Sequence, residues 1–201
     1  MTVRPETVLI PGPAGAIETD IQDTGAGRRG IALIAHPHPL QGGAKDNKVV
    51  TTLARTFNTL GYTALRPNFR GVGASEGEHD KGIGETDDLL AVARYAAERF
   101  QTHTLLLAGF SFGSFVQTRV AQRIACETLV LVGPAVGRFP AESVPAHTLV
   151  IHGEHDDVVP LSAVMDWARP QNLPVMVIPG GDHFFHGRLA LLAGIVTRWL
   201  R

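Results

Sequence analysis

The sequence predicts an α/β fold, with a mostly parallel central sheet and helices on both faces, and three observations lead there. Short apolar runs rich in β-branched residues alternate along the chain with segments of helical period. The runs are apolar at nearly every position, the pattern of strands covered on both faces. The first segment breaks that pattern and reads as an antiparallel hairpin at the sheet edge.

In chain order, Val8-Leu9-Ile10 is a short strand and Pro11-Gly12-Pro13-Ala14-Gly15 turns the chain. Ile17 and Ile21 then lie in a second strand-like stretch that ends at Asp23. Residues 31–35, 62–66, 104–108, 128–132, 148–151 and 175–178 supply the remaining strands. Val49, Leu53, Phe57 and Leu60 recur at helical spacing, and Gly61 is a natural stop. Leu89, Val92, Ala96 and Phe100 repeat the pattern, as do Leu189, Leu192, Val196 and Trp199. The interval 133–147 holds Pro134, Pro140 and Pro145 and reads as a loop.

Composition bounds the function. With 201 residues, 44 % of them hydrophobic, the chain can bury one sizeable core, so residues 1–201 are expected to be a single domain. A net charge of −1 and a charged fraction of 18 % give no basic footprint for nucleic acid or lipid headgroups, so the expected partner is a small molecule. Cys126 stands alone and has no partner for an internal disulfide. Residues 1–6 carry no apolar leader, and no run reaches bilayer length, which makes the cytoplasm the expected location. Edge strands and the C-terminal helix leave a homodimer open.

The chemistry gathers at Gly109-Phe110-Ser111-Phe112-Gly113, between the run Leu105-Leu106-Leu107-Ala108 and a helical pattern through Phe115, Val116, Arg119 and Val120. A strand, a sharp glycine-flanked turn and a helix present a serine hydroxyl at the tip as a nucleophile. Phe110 and Phe112 fit a core and an acyl pocket equally well. A serine hydroxyl needs a histidine to take its proton and a carboxylate to orient that imidazole. Two clusters, each just past a strand, supply them in the order acid then base: His152-Gly153-Glu154-His155-Asp156-Asp157, and Asp182-His183-Phe184-Phe185-His186. Asp156 is favoured over its neighbour Asp157, and His183 over His186, which is expected to begin the last helix. Glu154 and Asp182 are weaker candidates for the acid.

An acyl-transfer site also needs donors for the oxyanion. The N–H of Phe112, just after the serine, is one. The loop His36-Pro37-His38-Pro39-Leu40-Gln41-Gly42-Gly43 should give the other. Proline has no N–H, which leaves His38, the preferred donor, and Leu40. The histidines do not follow a His-Glu-x-x-His spacing and no cysteine pair accompanies them, so neither metal nor cofactor is expected. The segment 68–77 is glycine-rich but lacks the Walker lysine, and is taken as a substrate-side loop.

With these residues in place, the chain resembles the α/β-hydrolase superfamily over nearly its whole length. The segments Ala35-His36-Pro37-His38-Pro39-Leu40-Gln41-Gly42-Gly43, Asn68-Phe69-Arg70-Gly71-Val72-Gly73, Gly109-Phe110-Ser111-Phe112-Gly113 and Asp182-His183-Phe184-Phe185-His186-Gly187 are together similar to a group of small bacterial serine hydrolases. The resemblance implies a Ser111-Asp156-His183 triad and an oxyanion hole from the first histidine loop. Relatives with a cap domain carry it between the strand after the nucleophile helix and the next. Here that interval is 133–147, too short for a helical cap, so a lidless, open-site hydrolase of small carboxylic esters is expected. Thioesterase and peptidase activities use the same machinery, and a non-catalytic binding protein could keep the fold.

Overall fold

In the computed structural model, which describes residues 4–201, eight strands form one sheet. Strands β1 (Glu6–Gly12) and β2 (Gly15–Gln22) make the expected antiparallel edge hairpin over the two-residue turn Pro13-Ala14. The chain continues through β3 (Gly30–Ala35), α1 (Lys48–Thr59), β4 (Tyr62–Pro67), α2 (Ile83–Phe100), β5 (Leu105–Phe110) and α3 (Phe112–Ala121). It ends with β6 (Thr128–Val132), β7 (Thr148–Gly153), α4 (Leu161–Ala168), β8 (Val175–Ile178) and α5 (Leu189–Trp199). The spatial order is β1-β2-β4-β3-β5-β6-β7-β8, parallel from β4 to β8. No helix of the described residues is long and apolar enough to cross a membrane.

Side-chain alternation along the buried strands builds two cores. Ile31, Leu33 and Ala35 face α2 and α3, whereas Ala32 and Ile34 face α1 and α5. Two elements depart from the sequence reading. β8 is an edge strand, and its Met176 is 44 % exposed, because an apolar run does not say whether a helix covers its second face. α4 has no counterpart in the sequence pattern. It is eight residues long, follows Pro160 and buries only Val164 and Ala168, too short a stretch for a helical period to stand out. The interval 133–147 contains no helix, so β6 passes to β7 without a cap, as expected.

The strand order reverses at β3, which has β4 on one side and β5 on the other, so the loops leaving β3 and β5 part at a crevice. Open α/β sheets bind ligands at such a point. After β5 the chain turns at Ser111, held at φ 56° and ψ −117°, a conformation that costs a residue with a Cβ about 1–3 kcal/mol. Surrounding bonds impose it. Ser111 N–H donates to the Val132 carbonyl at 2.9 Å, and the Ser111 carbonyl accepts from Phe115 and Ala135 at 3.2 and 3.3 Å. A Cβ on Gly113 would fall 2.3 Å from the Ala35 oxygen and 2.6 Å from the His36 oxygen, and one on Gly109 would fall 2.5 Å from the Gly113 backbone. The flanking glycines therefore let α3 touch the ends of β3 and β5.

The loop after β3 is tied down from the other side. His36 is buried; its Nδ1–H donates to the Pro37 carbonyl at 2.7 Å, and Phe69 N–H donates to its Nε2 at 2.9 Å. Burial pushes this imidazole down to about 4, and the Pro37 bond opposes only part of that. Protonation would also turn Nε2 into a second donor facing the Phe69 N–H. Further along, Lys45 and Arg66 each lie 3.1 Å from the buried Asp20 carboxylate, and Lys45 N–H donates to Asn68 Oδ1 at 2.9 Å. Removing one member of such a buried set strands the remaining charges.

Gly113→Ala should lower stability by about 1–3 kcal/mol or more in urea unfolding, since backbone rather than a flexible side chain occupies the space. Full stability in that variant would show that α3 can back away from β3. His36 makes stability depend on pH. Its folded pKa lies below the unfolded value of 6.5, so the unfolded chain binds the extra proton as pH falls from 6.5 toward about 4. Its contribution, up to about 3 kcal/mol at about 1.4 kcal/mol per unit, is present above that window and lost through it. Unfolding midpoints measured at several pH values should fall more steeply for the wild type than for His36→Gln, and equal slopes would remove His36 as the cause.

Candidate active site

Three side chains from three loops converge at the C-terminal ends of the strands. Ser111 Oγ–H donates to His183 Nε2 at 3.0 Å, and His183 Nδ1–H donates to Asp156 Oδ2 at 2.7 Å. Ser111 caps α3, Asp156 lies in the turn after β7, and His183 lies in the turn after β8. All three are buried, with Ser111 8 % exposed at the floor of a cleft. The Phe110 ring lies 5.0 Å from the His183 ring and the Phe184 ring meets it edge-on at 5.1 Å, so the imidazole has walls on two sides. Phe110 thus serves the site as a backing surface.

Asp156 is held by its own turn. Val158 and Val159 N–H donate to Oδ1 at 2.9 and 2.7 Å, leaving Oδ2 for the histidine. Burial pushes the carboxyl upward, but the bonds from His183 and Val159 outweigh it and hold Asp156 below the usual carboxylate range. It is an anion at neutral pH. Its neighbour Asp157 points into solvent, so the structure brings Asp156, not Asp157, to the histidine.

A fourth residue braces the acid. His152, fully buried at the end of β7, donates from Nε2 to the Val159 carbonyl at 2.9 Å, and the same nitrogen stands 3.5 Å from Asp156 Oδ2. Burial lowers its pKa more than the nearby Asp156 raises it, which keeps the ring neutral. The sequence places His152 only within a histidine-rich cluster. Its strand-end position, one face inward, was the available signal for a brace.

The other expected residues are distributed as follows. The His38 ring packs at a tilt 4.8 Å from that of Phe112, so the loop after β3 lies against the start of α3. Leu40 N–H donates to His38 Nδ1 at 3.2 Å, which engages the alternative oxyanion donor. The His38 N–H makes no internal hydrogen bond among the described residues, and Phe112 N–H lies in the first turn of α3, where helix amides have no intrahelical partner. Burial, then repulsion from His79 4.9 Å away, lowers the pKa of His38. His186 does not begin α5, which starts at Leu189. It sits in the preceding turn, its Nδ1 2.6 Å from Asp182 Oδ2, on the surface. Glu154 accepts from Gly180 N–H at 2.8 Å and ties two loops together. The segment 68–77, taken from sequence as a substrate-side loop, instead braces the scaffold. Ser75 Oγ accepts from Glu18 N–H, Glu76 from Ala16 N–H, and Arg70 forms a two-bond pair with Asp88.

Ser111 opens into a cleft of about 90 Å³ lined by His38, Gln41, Phe112, Arg138, Phe139 and Val158, among others. A separate, wider groove of about 410 Å³ is lined by Phe184, Val49, Lys48, Asp46, His186 and Leu189. Nothing in the proline-rich interval 133–147 marks Arg138 or Phe139 as cleft residues, because their placement depends on how that loop folds back. Chemically, the arrangement holds a hydroxyl, a base able to take its proton and an anion able to stabilise the resulting imidazolium.

Known proteins share this architecture. Residues 38–148 match the family described as serine aminopeptidase, S33. The chain is 36 % identical to a Xanthomonas campestris α/β serine hydrolase without lid, with a TM-score of 0.93 over 100 % of this chain and 95 % of that one. It is 39 % identical to an α/β serine hydrolase homologue from Coxiella burnetii, with a TM-score of 0.86 over 98 % of this chain and 97 % of that one. An uncharacterized protein of Rickettsia prowazekii is 32 % identical over 202 residues, covering 89 % of this chain and 81 % of the other. With the eight-stranded sheet, the uncapped interval and the Ser111–His183 contact already in place, the chain belongs to the α/β serine hydrolases without a lid, within the serine aminopeptidase S33 family.

Proposed function

We propose that the protein hydrolyses carboxylic esters of small or short acyl groups, with Ser111 as nucleophile, His183 as general base and acid, and Asp156 orienting His183. One observation carries the proposal: the continuous Ser111–His183–Asp156 relay at 3.0 and 2.7 Å. Ser111 Oγ bonds to the acyl carbon as its proton passes to His183 Nε2, and Phe112 N–H and His38 N–H receive the carbonyl oxygen as it becomes an oxyanion. Collapse breaks the ester C–O bond, and His183 gives its proton to the departing alkoxide. Water, deprotonated by the same imidazole, then bonds to the acyl carbon, and as the bond to Ser111 Oγ breaks the imidazolium returns its proton to that oxygen, releasing the acid. No cofactor enters these steps.

The leaving group departs beside His183, which must protonate it; Phe184, whose ring lies edge-on to His183, also lines the wider groove. The acyl group takes the smaller cleft between His38, Phe112 and Phe139. At about 90 Å³ this cleft is small, which suits a short acyl chain. An aminopeptidase would need a carboxylate to hold the substrate ammonium. None of the cleft-lining residues is a carboxylate and one is an arginine, which favours esters over peptides with a free amine. Thioesters would use the same atoms with sulfur as the leaving group.

Purified protein should turn over p-nitrophenyl butyrate and take up a fluorophosphonate probe at Ser111. Ser111→Ala should lower kcat by about three or more orders of magnitude with an unchanged unfolding midpoint. If neither turnover nor labelling occurs in the wild type, the hydrolase assignment fails. Asp156→Asn should also cost about three to four orders of magnitude, because an amide can hold His183 in the wrong tautomer and cannot offset its positive charge. A loss below tenfold would show that another group orients the imidazole.

A further inference from the structure

Building on the esterase assignment, we propose that Arg138 makes the acyl cleft selective for acids that carry a second, anionic group, so that the preferred substrates are half-esters of short dicarboxylic acids. The turn that bears Arg138 is held from both sides. Ala135 and Val136 are buried, and Ala135 N–H donates to the Ser111 carbonyl at 3.3 Å, fastening the turn to the nucleophile itself. Gly137 takes φ 80°, Phe139 N–H donates to the Ala135 carbonyl at 3.3 Å, and Val136 and Phe139 form a bridge. The Phe139 ring stacks on Phe115 at 5.0 Å and meets Phe112 edge-on at 5.1 Å. Arg138 therefore rides on a fixed two-residue tip between anchored neighbours, at the mouth of the cleft whose floor is Ser111.

Its charge is available. Among the described residues no carboxylate lies within ion-pair distance of Arg138, whereas Arg66, Arg70 and Arg28 are spent on Asp20, Asp88 and Asp23. The remaining polar lining consists of Gln41 and His38, a neutral amide and an imidazole whose protonation burial disfavours. A guanidinium at the rim pairs with a carboxylate through two parallel N–H···O bonds, which a lysine cannot reproduce. Ser111 and Arg138 line the same small cleft of about 90 Å³, which leaves space between them for only a short chain such as succinyl or glutaryl.

The test compares esters that differ only in charge. p-Nitrophenyl hemiglutarate and p-nitrophenyl valerate have the same chain length, one ending in a carboxylate and the other in a methyl; 4-valeryloxybenzoate carries its anion on the leaving group instead. After subtraction of enzyme-free rates, the wild type should show kcat/KM for hemiglutarate about tenfold or more above that for valerate at low salt. The ratio should shrink in about 0.5 M salt as screening weakens the pair. Arg138→Gln should bring the ratio close to one, and Arg138→Lys should restore only part of it. A wild-type ratio near one, a ratio that survives in Arg138→Gln, or a preference confined to 4-valeryloxybenzoate overturns the proposal. Each of those outcomes, seen with valerate still hydrolysed and Ser111 still labelled, leaves the esterase assignment standing. Absence of all turnover and labelling overturns both.

Discussion

The site depends on the contact between Gly113 and the carbonyls of Ala35 and His36. Without a side chain at 113, the first turn of α3 rests directly on the end of β3, and two loops far apart in sequence become neighbours. Gly109 likewise lies against the Gly113 backbone, so the end of β5 and the start of α3 meet closely on both sides of Ser111. The Gly113 contact also sets the spacing between the Phe112 amide and the loop bearing His38, whose ring packs on the Phe112 ring at 4.8 Å. Ser111 and the loop after β3 are thus positioned by one backbone approach rather than by separate devices. The cost is the strained Ser111 backbone, offset by the bonds from Val132, Phe115 and Ala135.

Several imidazoles surround this point, and their environments give them different work. His36 and His152 are fully buried and depressed in pKa, and each spends an N–H on a carbonyl, so they act as neutral struts: His36 between the β3 and β4 loops, His152 beneath the Asp156 turn. His183 alone joins a hydroxyl on one nitrogen and a carboxylate on the other. The Asp156 anion, kept charged despite burial, lies against the Nδ1–H of that ring, and of these three histidines only His183 touches Ser111.

How far the sequence foretold this follows from which interactions are local. Strand and helix patterns are local in origin, and the sheet, the hairpin and the uncapped interval were legible from them. The turn at Ser111 was legible too, since Gly109 answers a steric demand within five residues, although the contact that requires Gly113 is with β3 and is not local. The order of acid and base followed from where strands end. That Asp156 rather than Asp157 reaches His183, by contrast, rests on the Val158 and Val159 amides, and the engagement of the Leu40 N–H on a bond to the His38 ring; neither leaves a mark in residue type. The edge position of β8, the short α4 and the bracing role of 68–77 are tertiary facts for the same reason.

The absent cap explains why a turn of five residues matters so much. In a capped enzyme, inserted helices can wall the acyl site. Here residues 135–139 are what the chain offers between β6 and β7, and they are pinned to Ser111, Phe112 and Phe115. A wall this short can discriminate by little except charge and length: Phe139 limits the room, and Arg138 sets the sign at the mouth. An open cleft also leaves the guanidinium hydrated until a ligand arrives, so its pairing is worth less than a buried one would be, and it responds to salt. Such a site gains selectivity from where a charge sits relative to the acyl carbon, not from enclosing the whole substrate.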